Sequence, residues 1–152
     1  MNTQNHTKGG QQHLTKGERI LSWILQIIPA VIFLPMGIMK ITGNPNSVML
    51  FEQLGMEPVG RFAVGIAEIA AGVLLLWPSK SWLGGLVGMG VLAGAVFFHL
   101  TSIGIVMNGD GGMMFMIAIA TFLMSAAVVW LRRHHIPVIG PKLGRSLVVE
   151  TQ

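Results

Sequence analysis

Four runs of apolar residues, each ~20 residues long and parted by short polar breaks, constrain this chain more than any other feature. A helix needs ~20 apolar residues to cross ~30 Å of hydrocarbon. The runs are read as 20–41, 59–78, 82–107 and 113–131. Lipid offers no partner for backbone amides, and these glycine-interrupted runs lack the alternation of a barrel strand, so each is expected to be a helix. Residues are 52% hydrophobic and only 11% charged, against roughly a quarter charged in a soluble domain. The expected fold is therefore all-α, an antiparallel bundle of four transmembrane helices.

A net charge of +4 and a pI near 10.2 raise the question of nucleic acid. The placement of the basic residues answers it, because they fall at span ends. Lys8, Lys16, Arg19, Lys80, Arg132, Arg133, Lys142 and Arg145 share one side, leaving Lys40 and Arg61 near the other. The positive-inside rule makes the crowded side cytoplasmic and puts both termini there. Trp23, Trp77, Trp82 and Trp130 all fall at that same interface, where indole rings prefer to lie. Residues 1–19 read as a disordered cytoplasmic tail without a cleavable signal pattern, and 132–152 as a basic tail broken by Pro137, Gly140 and Pro141. With no cysteine, disulfides, dithiol relays and thiolate metal sites are excluded within this chain.

The connection 42–58 reads as a short helix over 45–54. Asn44 suits an N-cap, Pro45 the first helical position and Gly55 a left-handed stop. Val48, Phe51 and Leu54 would share one face, lying on the interface or roofing the bundle, with Glu52 and Gln53 toward water. The remaining links, 79–81 and 108–112, are short enough to enforce antiparallel neighbours, and Asp110 is expected to cap the fourth span. Gly84 with Gly88 and Gly90 with Gly94 form small-xxx-small pairs, and Ala63, Ala67 and Ala71 line a stripe. Such pairs serve internal packing or a homodimer. Pro29 and Pro35 predict a kink or local widening in the first span.

Glu68 lies about nine residues, roughly 14 Å, from the outer end of its span, close to mid-membrane, and there it needs a partner. His99 falls at similar depth, so the two are expected to meet, with Thr121 completing a polar layer. Lys40 and Arg61 lie near the outer rim; Lys40 is expected to snorkel outward. The opposing expectation makes Glu68, His99 and Thr121 a hydrogen-bond cluster that only fixes register. Gln26 is expected to bond to a neighbouring helix. The adjacent His134 and His135 point to different helix faces and make a poor metal pair. No phosphate loop, nucleophile elbow, metalloprotease helix or haem-attachment motif is present, which leaves no catalytic motif to assign.

The run Gly37-Ile-Met-Lys40, then Phe51-Glu-Gln-Leu-Gly55, Gly65-Ile-Ala-Glu68 and Gly72-Val-Leu-Leu-Leu resembles the DoxX-like family of small bacterial membrane proteins. The resemblance extends from about Leu21 to Met107, and through the four-span arrangement to Leu131. It implies a multi-pass protein of the bacterial inner membrane, with Lys40, Glu68 and the polar position at His99 as family-like residues. It does not imply one activity. The family takes its name from a subunit similar to that of an archaeal thiosulfate:quinone oxidoreductase, and other relatives are linked with oxidative stress or sulfur metabolism.

Three functions are compatible with this pattern. The first is an accessory subunit that binds quinone or another lipophilic molecule in the outer half, with quinone carbonyls accepting from His99 or a protonated Glu68 and Met-rich walls around the ring. The second is a proton-coupled transporter, which at four spans would require a homodimer. The third is a scaffold in a larger membrane complex. The lipid bilayer is the one partner that all three share.

Overall fold

The computed structural model describes residues 16–107, 109–133 and 136. The protein is all-helical over these residues. Helix α1 spans Lys16–Ile41, α2 Pro45–Gln53, α3 Val59–Leu76, α4 Ser81–Phe98 and α5 Met113–Leu131, with a π-helical turn at His99–Ile103 continuing α4. Four segments, α1, α3, α4 with its π turn, and α5, are long and apolar enough to cross a membrane. The protein is accordingly a multi-pass membrane protein. Helix α1 packs on α3, α3 on α4 and α4 on α5, and α5 closes back onto α1.

The surface of the four spans is apolar where a soluble protein would be polar. Val31, Ile66, Phe97 and Leu123 are all about 60% exposed, whereas Gln26, Glu68, Thr121 and Ser125 are buried. Lipid as the outer solvent accounts for this inversion. A small apolar core of Ala30, Phe33, Ala71, Leu75, Leu92, Ala118 and Val128 runs along the bundle axis. Glycines set the helix spacing. A Cβ on Gly84 would lie 2.5 Å from the Leu75 nitrogen, and one on Gly85 would lie 2.9 Å from the Ser125 carbonyl oxygen. Gly90 and Gly94, by contrast, would meet nothing within 4 Å. Of the two small-xxx-small pairs, only Gly84 with Gly88 is used to pack the bundle.

Local signals account for the helix ends. Asn44 Oδ1 accepts from the Asn46 amide at 3.1 Å, Pro45 opens α2, and Gly55 follows it with φ +66°. Phe51 is buried, Glu52 and Gln53 are exposed, and α2 lies over the bundle as a roof. Helix α1 begins at Lys16, one turn before the expected apolar start, and its first turn is exposed. It runs unbroken through Pro29 and Pro35. The third span is shorter than the apolar run: regular helix yields to the π turn at His99 and stops at Gly104, whose φ of +86° disfavours any side chain. Most of the N-terminal tail, His134, His135 and the rest of the C-terminal tail lie outside the described residues.

Candidate functional site

Helices α1 and α3 touch backbone to backbone at Gly37 and Gly65. A Cβ on Gly37 would come within 2.8 Å of the Gly65 carbonyl oxygen. This approach brings Lys40 and Glu68 together. Lys40 Nζ donates to Glu68 Oε1 at 2.9 Å and lies 2.8 Å from Oε2, with both side chains 9% exposed. The contact to Oε2 has the distance of an ion pair but not the angle of a hydrogen bond, and Oε2 has no other donor.

Lys40 therefore does not snorkel outward. Side chains on a helix tilt toward its N-terminus, so on antiparallel helices Lys40 and Glu68 lean toward each other. Turning outward would run Lys40 against that tilt. Arg61 is buried beside the pair: its guanidinium is held by Glu57, with Nε 2.8 Å from Oε1, and also donates to the Lys40 backbone carbonyl. That last bond ties the start of α3 to the end of α1.

Lys40, Glu68, His99 and Thr121 line one cavity of about 370 Å³. Its other walls are mostly apolar, with Phe33, Met36, Met39 and Met107 among them; Phe51 of α2 and the following Leu54 form the roof, where Asn46 and Ser47 add polar side chains. Gly90 and Gly94 border it as well, so the absence of their side chains leaves this space open. Arg61 stands outside the lining.

His99 does not meet Glu68. Its Nδ1 lies 2.8 Å from the Gly104 carbonyl, and its ring stacks edge-on against Phe115 at 5.6 Å. The π turn directs the ring back onto its own segment. Such turns recur at functional sites. Thr121 likewise bonds within its own helix, donating to Ile117 O at 2.7 Å. The expected polar layer is thus a set of separate polar groups around one cavity, with the ion pair as its charged member. Among the described residues no three His, Asp or Glu side chains converge on one point.

Two polar features lie outside the cavity. Asp110 accepts from the amides of Met107, Gly112 and Met114 at 2.9, 2.9 and 3.0 Å, which is the expected cap in a wider form. These bonds hold its carboxyl below the usual carboxylate range, with a smaller electrostatic contribution from His99. At the tryptophan-bearing end, Gln26 bonds to Ser22 of its own helix, through both O and Oγ at 2.7 Å, and not to a neighbour. Ser22 Oγ also accepts from Arg132 Nε at 3.1 Å, so the contact between helices is made one turn away from Gln26. This half of the bundle is more polar than the sequence suggests, since Ser22, Ser81 and Ser125 are fully buried. Serines inside an apolar run carry no signal that separates them from packing residues.

No match was found among curated proteins, nor among solved structures. The DoxX family model matches residues 22–101, which include Lys40, Glu68 and His99. That match covers more than half of the chain, and the chain belongs to the DoxX family.

Proposed function

We propose that this protein binds a lipophilic small molecule, a quinone or a molecule of similar shape, as an accessory or redox-associated subunit of the membrane. The observation that carries this reading is a buried ion pair lining an otherwise apolar cavity of about 370 Å³. Ligand pockets fall in the range of about 300–1,000 Å³ and combine apolar walls with a few polar groups. A charge pair within the bilayer is costly, and function is the usual reason for keeping one. Methionines give the walls the adaptability that a ring and an isoprenoid tail need. The basic asymmetry supports a plasma-membrane orientation with both termini cytoplasmic, which sets the cavity in the outer leaflet.

Titration with a short-chain quinone and, separately, with its reduced quinol in nanodiscs tests the proposal, binding of either one counting as occupancy of the site. Three proteins are compared: wild type, Gly94→Leu and the double variant Glu68→Gln, His99→Ala. A Cβ at Gly94 would meet nothing within 4 Å, so leucine can be introduced at this cavity-lining position without displacing a neighbour at its first carbon, and it raises helix propensity. Saturable binding by wild type, lost in both variants, is the expected result. Equal binding in all three, or none in wild type, removes the site.

A further inference from the structure

The polar groups of the cavity differ in which of their valences are already used. Thr121 spends its hydroxyl hydrogen on Ile117 O. Lys40 donates one of its three N–H groups to Glu68 Oε1 and lies against Oε2 by charge alone. His99 is the most informative, because its Nδ1 lies 2.8 Å from a carbonyl oxygen. A carbonyl only accepts, so Nδ1 carries the hydrogen. In the neutral ring Nε2 is then a bare lone pair. His99 is 8% exposed, lines the cavity and has no other hydrogen-bond partner among the described residues. Among Lys40, Glu68, His99 and Thr121 the free acceptors are His99 Nε2, Glu68 Oε2 and the Thr121 oxygen, while Asn46 and Ser47 of α2 line the cavity with side chains that both donate and accept. Two N–H groups of Lys40 remain as donors beside them.

We infer that the cavity selects a lipophilic molecule bearing a hydroxyl, a phenol or hydroquinone ring, whose O–H donates to His99 Nε2. This rests on the cavity being a ligand site, and it reverses the direction of hydrogen bonding expected from the sequence. A quinone carbonyl offers only lone pairs and would face lone pairs at His99. A hydroxyl both donates and accepts, so it can satisfy Nε2 while receiving from Lys40. His99 is a stronger candidate than Glu68, whose oxygens both already face the Lys40 ammonium. Of a quinone couple, the reduced member fits.

The test uses a matched pair of probes, para-hexylphenol and its methyl ether para-hexylanisole, titrated onto the full chain in nanodiscs at about pH 8, where an ordinary imidazole is neutral. The two share ring and tail and differ in the hydroxyl hydrogen. Wild type should bind the phenol about tenfold more tightly, the effect of leaving one buried acceptor unpaired. In His99→Asn, which keeps a donor for Gly104 O and removes Nε2, the preference should fall to about twofold or less, with ether binding unchanged. His99→Phe keeps the ring and serves as the second variant. Equal affinity for both probes in wild type overturns the inference and leaves the cavity as a ligand site. Failure of both to bind overturns the two readings together. A phenol preference that survives in both variants removes His99 as the acceptor.

Discussion

Gly65 of α3 lies directly against Lys40 of α1: a Cβ on Gly65 would come within 3.0 Å of the Lys40 Cβ and 3.1 Å of the Gly37 carbonyl oxygen. The missing side chain is what allows the lysine stem to lie flat between the helices. Gly65→Val should therefore force α1 and α3 apart and lengthen the reach of Lys40 to Glu68. Overpacking of this kind costs about 1–3 kcal/mol. Reversible unfolding in mixed micelles measures it, and Gly94→Ala, which meets only open space, is the control expected to show no loss.

The ion pair itself predicts a non-additive pattern. Removing one member leaves a buried charge without its counter-charge, which costs about 3–5 kcal/mol in soluble cores. Lys40→Met and Glu68→Gln alone should each destabilise by that order. Combined, they remove both charges, and the double variant should unfold close to wild type or above it. A double-mutant cycle reads this directly. Single variants that unfold like wild type would mean that the pair is open to water.

The four spans were legible because apolar length is a strong signal and lipid permits few alternatives. The roofing helix was legible from Asn44, Pro45 and Gly55, each required by a particular cap geometry. The partner of Glu68 was not. Depth along each span set His99 level with Glu68, but depth says nothing about which helix faces which. The signal that was available is the pair Gly37-x-x-Lys40 and Gly65-x-x-Glu68, in which each charge follows a glycine by three residues. If the two glycines mark one close approach, the tilt of side chains toward each N-terminus brings lysine and glutamate together. The bond from His99 to Gly104 was beyond sequence, because it depends on one π turn in an otherwise regular apolar run.

Asp110 predicts how stability responds to acid. Its carboxylate accepts three backbone amides, so its folded pKa lies below that of the unfolded chain. A group shifted this way stabilises fully above its unfolded pKa, and the contribution disappears as pH falls through the folded value. Wild type should thus unfold at higher temperature than Asp110→Ala at neutral pH. The gap should narrow on acidification below the ordinary carboxylate range. Melting curves across that window check the sign; a gap that widened in acid would contradict the cap.

At the other end of the bundle, Ser22 is a hub. Its Oγ accepts from Gln26 Nε2 at 2.7 Å and from Arg132 Nε at 3.1 Å, while its backbone oxygen takes a second bond from Gln26. Arg132 is 9% exposed and, among the described residues, has no carboxylate within ion-pair distance, so this hydroxyl is its visible tie to the bundle. Ser22→Ala removes the acceptor and strands a buried guanidinium N–H, which should cost about 1–3 kcal/mol. Because Arg132 follows α5 and Ser22 belongs to α1, the loss should appear as fraying of the end of α5. Hydrogen exchange at Val128 to Leu131 would rise while that of α3 stayed unchanged. Ser22→Thr, which restores the hydroxyl, should recover most of the protection.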